Sequence, residues 1–212
     1  MSRIAYVDGV YQPIDMPGIH VEDRGYQFAD GVYEVCAVHN TRLVDEDAHL
    51  DRLERSLAEL GITAPMSRAA MKIVVRETLA RNRIRNGIVY MQVDAGVASR
   101  DHNYPAGLKP VLVVTPATLT LRGAPRCARW YQCCHCAGST LGALRYQVDF
   151  PAAQCAGAAS AKEGGVQEAW QVNADGMVTE GAATNAWIVD SAGVLRTRPA
   201  DAGILNGIVR RL

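Results

Sequence analysis

Leu50, Leu53, Leu57 and Leu60 recur at steps of three and four residues, and Gly61 follows them. This spacing lines one face of an α-helix spanning His49 to Leu60, and a glycine just past the last apolar position is a helix stop. Such a stripe must be buried against a second layer. The flanking sequence offers β-type runs for that layer. "IAYVDGVYQPI" (4–14) reads as two short strands about an Asp8-Gly9 turn. "GIVYMQVDAG" (87–96) and "KPVLVVTP" (109–116) are rich in β-branched residues. Ser67 is placed to cap a second helix with Val74, Val75 and Leu79 on its inner face. The absence of βαβ alternation points to an α+β unit.

Beyond residue 167 the pattern is again β-type. "EAWQVNADGMVTEGAATNAWIVDSAGVLRT" (168–197) predicts a run of strands with turns at 173–176 and 191–193. "ADAGILNGIVRRL" (200–212) predicts a loop entering a helix of a single turn, as in a truncated domain. The formal net charge is zero and no basic block exists, so an electrostatic case for nucleic acid or membrane binding is absent. No apolar run reaches membrane-spanning length, and the N-terminus lacks a secretory layout. The expectation is a cytoplasmic chain with reduced thiols.

Between these halves lies an anomaly. Five of the six cysteines fall between Cys127 and Cys155, and from Tyr131 to Ala161 the only charged side chains are Arg145 and Asp149. Reduced surroundings argue against a disulfide knot. Contiguous Cys133, Cys134, His135 and Cys136 lack the gaps that let side chains converge on one zinc ion, so no metal site is expected.

Four other runs carry chemistry. "EDRGYQFADGVYEV" (22–35) is rich in turn residues and ends in a strand. "HLDRLERS" (49–56) places Arg52 and Arg55 between the apolar positions of a helix, where one planar fork could take a phosphate monoester. The plainer reading is a solvated face. "SRDHNYP" (99–105) sets Arg100 and His102 two apart in a loop. If the backbone is extended, both project to one side as a trap for a carboxylate; otherwise this is a polar surface loop. "VTEGAATN" (178–185) isolates Glu180 among small residues, as for close approach to a flat ligand.

In this order and at these distances the four runs resemble the class IV (fold-type IV) aminotransferases, and within them the D-amino-acid transaminases. The resemblance covers residues 1 to about 120 and 162 to 212. It implies an α+β, two-domain fold: a small N-terminal α/β domain over 1–120 and the start of a larger C-terminal domain, truncated here, over 162–212. It also implies pyridoxal 5′-phosphate as cofactor, lying between the domains. Arg52 and the backbone amides of Ile208 and Val209 would take its phosphate, and Glu180 would face its pyridine nitrogen and keep it protonated. Tyr33, Arg100 and His102 would trap the carboxylate of a D-amino acid or 2-oxo acid. The active unit would be a homodimer, with trap residues reaching across from the second copy. Two departures stand out: Val209 where the family usually has threonine, and Ala95 where it often has arginine.

A third departure is larger. The family places its cofactor-bound lysine, which also carries the proton to and from the α-carbon, some thirty residues before the Val-Thr-Glu-Gly run. This chain has three lysines: Lys72 in the second helix, Lys109 before a strand, and Lys162 only 18 residues before Glu180. None fits. The anomalous segment, 121–161, stands where that lysine belongs. Read one base later, codons permitted for "GSTLGALRYQVDFPAAQCAG" (138–157) can spell Asp-Gln-Arg-Trp-Ala-Arg-Cys-Asp-Ile-Lys-Ser-Thr-Ser-Leu-Leu-Pro-Asn-Val-Leu-Ala. That is the family's missing segment, with its lysine at Gln147, 33 residues before Glu180. The expectation is a local frameshift and a chain that is inactive as written. Competing readings are a branched-chain aminotransferase, a 4-amino-4-deoxychorismate lyase, a non-catalytic protein that binds the cofactor or dimerises, and a metal or redox module built on the cysteines.

Overall fold

The structure, a computed structural model, describes residues 3–118, 133–137, 159, 161–166, 168–200 and 203–211. The described residues form two compact units, one within 3–118 and the other within 133–211.

In the first unit the strands are β1 (Ile4–Val7), β2 (Val10–Pro13), β3 (Gly31–His39), β4 (Arg42–Leu43), β5 (Gly87–Asp94) and β6 (Val111–Thr118). They make one antiparallel sheet in the order β2-β1-β6-β5-β3-β4. Alternation sets the buried face: Val32, Cys36 and Val38 on β3, Val89, Met91 and Val93 on β5, Leu112 and Val114 on β6. Helices α2 (Glu46–Glu59) and α3 (Arg68–Arg81) cover that face, adding Leu50, Leu53, Leu57, Met71, Val74, Val75 and Leu79 to the same core. Each buried leucine contributes about 1.5–3 kcal/mol.

Helix α2 begins three residues before the predicted His49. The added turn is polar: Asp47 pairs with Lys72 of α3 at 2.6 Å and Glu46 with Arg76 at 3.1 Å. An apolar stripe cannot mark such a turn, although acids there favour the helix N-terminus. The predicted stop is found as expected. Gly61 has φ +68°, its N–H donates to Ala58 O, and Ile62 N–H donates to Leu57 O at 2.9 Å.

Helix α3 ends the same way without a glycine. Ile84 N–H donates to Leu79 O at 3.1 Å and Arg83 N–H to Ala80 O, which puts exposed Arg83 at φ 53°. A Cβ in this left-handed conformation is strained. Arg83→Gly is therefore expected to stabilise the fold by about 0.5–1 kcal/mol, read as a higher urea midpoint at unchanged slope.

The second unit holds β7 (Cys133–Ala137), β8 (Glu168–Val172) and β9 (Val178–Gly181) in one sheet, and a hairpin of β10 (Trp187–Val189) and β11 (Leu195–Thr197). Both predicted turns are present. Asn173 Oδ1 accepts from Asp175 and Met177 N–H, and Asp190 Oδ1 from Ala192 and Val194 N–H. β7 has no counterpart in the sequence reading. It pairs parallel with β8, Cys133 opposite Glu168. Ladder bonds are made by backbone groups, which every residue but proline supplies in full. No helix among the described residues is long and apolar enough to cross a membrane.

Candidate active site

The "EDRGYQFADGVYEV" run is more than a turn. Arg24–Phe28 form a short helix, α1, capped by Asp23, whose Oδ1 accepts from Gly25 N–H (2.9 Å) and Tyr26 N–H (3.3 Å). The run is tied to residues 96–98: Arg24 N–H donates to Gly96 O at 2.9 Å and Ala98 N–H to Glu22 O at 3.2 Å. Asp23 and Asp94 are both buried. Burial pushes the Asp23 carboxyl above its ordinary range, opposed by the Tyr26 and Gly25 amides and by a hydrogen bond with Asp94. A side chain at Gly25 or Gly31 would run into the Asp94 carboxylate, so both glycines are required by close approach.

Arg100 and His102 do come together, though not through an extended strand. The chain bends at Arg100, and the two side chains meet on one ring: the Arg100 guanidinium lies 4.9 Å from the Phe28 centroid and the His102 ring 5.4 Å from it. Both residues are exposed. Tyr33 lies on the sheet face away from the helices and stacks on Tyr90, with centroids 5.6 Å apart.

Of the two helix arginines the structure separates one from the other. Arg55 is on the surface, 3.8 Å from Glu59. Arg52 is buried and forked onto Glu34: Nε to Oε1 at 2.6 Å and Nη2 to Oε2 at 2.8 Å. His49 Nδ1 donates to Glu34 Oε2 at 2.7 Å. Glu34 is 1% exposed, so all three polar groups depend on one another. Sequence reasoning missed Glu34, yet a signal was present. It occupies the core phase of β3 with Val32, Cys36 and Val38, where only a paired carboxylate is tolerated.

In the second unit Glu180 and Asn185 hold the same residue. Glu180 Oε2 accepts from Leu205 N–H at 3.0 Å, and Asn185 Nδ2 donates to Leu205 O at 2.8 Å. Burial raises the Glu180 carboxyl above its ordinary range, and the Leu205 amide opposes that rise. The loop so pinned leads through Gly207, where a Cβ would strike Asn185 Oδ1, to buried Ile208 and exposed Val209. Val209–Arg211 form one 3-10 turn. Gly181 answers to its own turn: its N–H donates to Thr184 O at 2.6 Å, and a Cβ there would meet the Thr184 hydroxyl.

All three lysines are accounted for. Lys72 is 2.6 Å from Asp47, Lys109 is 2.9 Å from Asp8 with its side chain 81% exposed, and Lys162 is exposed within a helical stretch. Gln147 lies outside the described residues, as does most of 121–161. Among the described residues Cys36 is the free cysteine; burial, then Glu34, pushes its thiol up to about 12. No group of three or more His, Cys, Asp or Glu among the described residues could hold a metal ion.

A buried guanidinium fixed by a carboxylate fits a phosphate, because five N–H donors let one arginine serve Glu34 and an anion together. The half-buried Glu180 carboxylate, itself held by a backbone amide, fits a protonated ring nitrogen.

The amino-transferase class IV family profile matches residues 31–212. The D-alanine aminotransferase of Bacillus licheniformis is 35% identical over 202 residues, covering 91% of this chain and 67% of that protein. Among solved structures, a branched-chain amino acid aminotransferase of Escherichia coli superposes with a TM-score of 0.85 at 18% identity, over 100% of this chain and 72% of that one. A putative 4-amino-4-deoxychorismate lyase of Legionella pneumophila gives 0.81 at 18% identity, over 92% and 71%.

Proposed function

The chain belongs to the class IV aminotransferases, enzymes of fold-type IV that use pyridoxal 5′-phosphate, and on that premise we propose that its framework serves amino transfer between a D-amino acid and a 2-oxo acid. The observation that carries this reading is the gathering of Arg100 and His102 on Phe28. An imidazole beside a guanidinium, both open to solvent, suits a substrate carboxylate and fixes which face of the α-carbon is presented.

The remaining roles follow from what each residue can do. Arg52, oriented by Glu34 and His49, takes the cofactor phosphate, and the Ile208 and Val209 amides assist. Glu180 takes the ring nitrogen's proton into a charge-assisted hydrogen bond. Bound there, the cofactor supplies an electron sink for the substrate's α-carbon. Tyr33 completes the carboxylate trap. The reading places that trap in a homodimer, shared between the two copies, as the family resemblance implies. The reading also includes a cytoplasmic location, a small domain over 1–120 and the beginning of a second over 162–212. As written, the chain holds the parts that bind and lacks the amine that turns over.

The donor class is tested on a chain whose residues 138–157 are replaced by the shifted-frame sequence, with 2-oxoglutarate as acceptor. D-alanine is expected to react faster than L-leucine by about tenfold or more. A preference for L-leucine would assign the chain to the branched-chain enzymes.

A further inference from the structure

Arg24 belongs to none of the roles above, yet it is one of the most enclosed cations in the first unit, at 4% exposure. A buried guanidinium persists only when paired and hydrogen-bonded. Its Nε donates to Asp30 Oδ2 at 2.7 Å, and its Nη1 donates to Asp101 O at 2.8 Å and to Asn103 O at 3.5 Å. Its guanidinium lies 4.7 Å from the Phe28 centroid and 5.2 Å from that of Tyr104. Its backbone N–H is bound to Gly96 O. Main chain and side chain of one residue thus grip residues 96–103 at both ends of the segment that carries Arg100 and His102.

We propose that Arg24 is the positioning residue of the carboxylate trap: it fixes the 101–103 backbone and, through Phe28, the mutual placement of Arg100 and His102. The proposal rests on the reading of those two residues as the trap. Three rings or planes share Phe28, since Arg24, Arg100 and His102 all pack on it. Asp30 neutralises Arg24, so the positive charge offered beside Phe28 is that of Arg100. Lysine cannot replace Arg24, because a point ammonium cannot bond Asp30 and the Asp101 carbonyl in one plane while stacking on two aromatic faces.

The test is a pyruvate titration of the 212-residue chain, followed by NMR at the His102 ring and the Arg100 Nε–H. A urea midpoint confirms the fold of each variant. In the wild type both signals are expected to move together, and a His102–Phe28 NOE is expected. Arg24→Lys should weaken the pyruvate response about tenfold or more and abolish the NOE. Asp30→Asn, which keeps an acceptor for Nε, should retain the NOE. A folded Arg24→Lys variant with NOE and pyruvate response intact overturns the proposal. Should Arg24→Lys not fold, Phe28→Leu decides, since it keeps the Arg24–Asp101 bond and removes the platform; an unweakened pyruvate response there overturns the proposal equally. A wild type that ignores pyruvate, beside an NOE lost in Arg24→Lys, sinks the trap reading and leaves the loop-setting role standing.

Discussion

Replacing Glu34 by alanine is expected to destabilise the first unit by about 3–5 kcal/mol, the range for removing one partner of a buried ion pair. The carboxylate receives two bonds from Arg52 and one from His49, and all three residues are less than a tenth exposed. Alanine leaves a guanidinium and an imidazole facing a void where their shared acceptor stood. Against a typical total of about 5–15 kcal/mol, this is enough to unfold a marginal domain. Glu34→Gln keeps an acceptor in place and is expected to fall between. Replacing Glu34, His49 and Arg52 together by apolar residues of similar volume should recover much of the loss, because no charge is then stranded. Urea unfolding of the four proteins gives the ordering. A single alanine variant within 1 kcal/mol of wild type would show that the triad is solvated, contrary to its burial.

Rewriting residues 138–157 is the second change with a large expected effect. With residues 138–157 replaced by the shifted-frame sequence, turnover should rise by at least about 10²–10⁴-fold, the contribution of a positioned general base alone. The covalent anchor adds to that figure. Gln147→Lys by itself should recover far less, since it does not bring the neighbours that would lower the amine's pKa and fix its direction. Comparing the two variants separates the chemistry of one amine from the architecture that aims it.

The first unit's architecture was legible because its signals are periodic. The 3-4 spacing of Leu50, Leu53 and Leu57 and the alternation in β5 and β6 are set by burial, and burial decided the fold. The polar first turn of α2 left no such mark, being held by ion pairs to α3. Arg52 was legible as a candidate but indistinguishable from Arg55 by pattern; its carboxylate on β3 separates them, and that contact spans 18 residues of sequence. Glu34 carried its signal in strand phase, and Arg24 carried little, since its partner Asp30 reads as a turn residue and its other hydrogen bonds go to carbonyl oxygens, which any sequence supplies. Gly25 and Gly31 read as turn residues, whereas the structure requires them for the approach of Asp94. β7 escaped because backbone pairing depends little on which side chains the strand carries.

The central claim is that residues 138–157 leave the proposed site without its amine, and the rate of pyruvate formation from D-alanine and 2-oxoglutarate, with pyridoxal 5′-phosphate supplied, tests it most directly. The 212-residue chain should stay at the background of cofactor alone while the frame-restored chain turns over. Comparable turnover by the unaltered chain would contradict the account and direct attention to Lys162, the lysine nearest in sequence to Glu180.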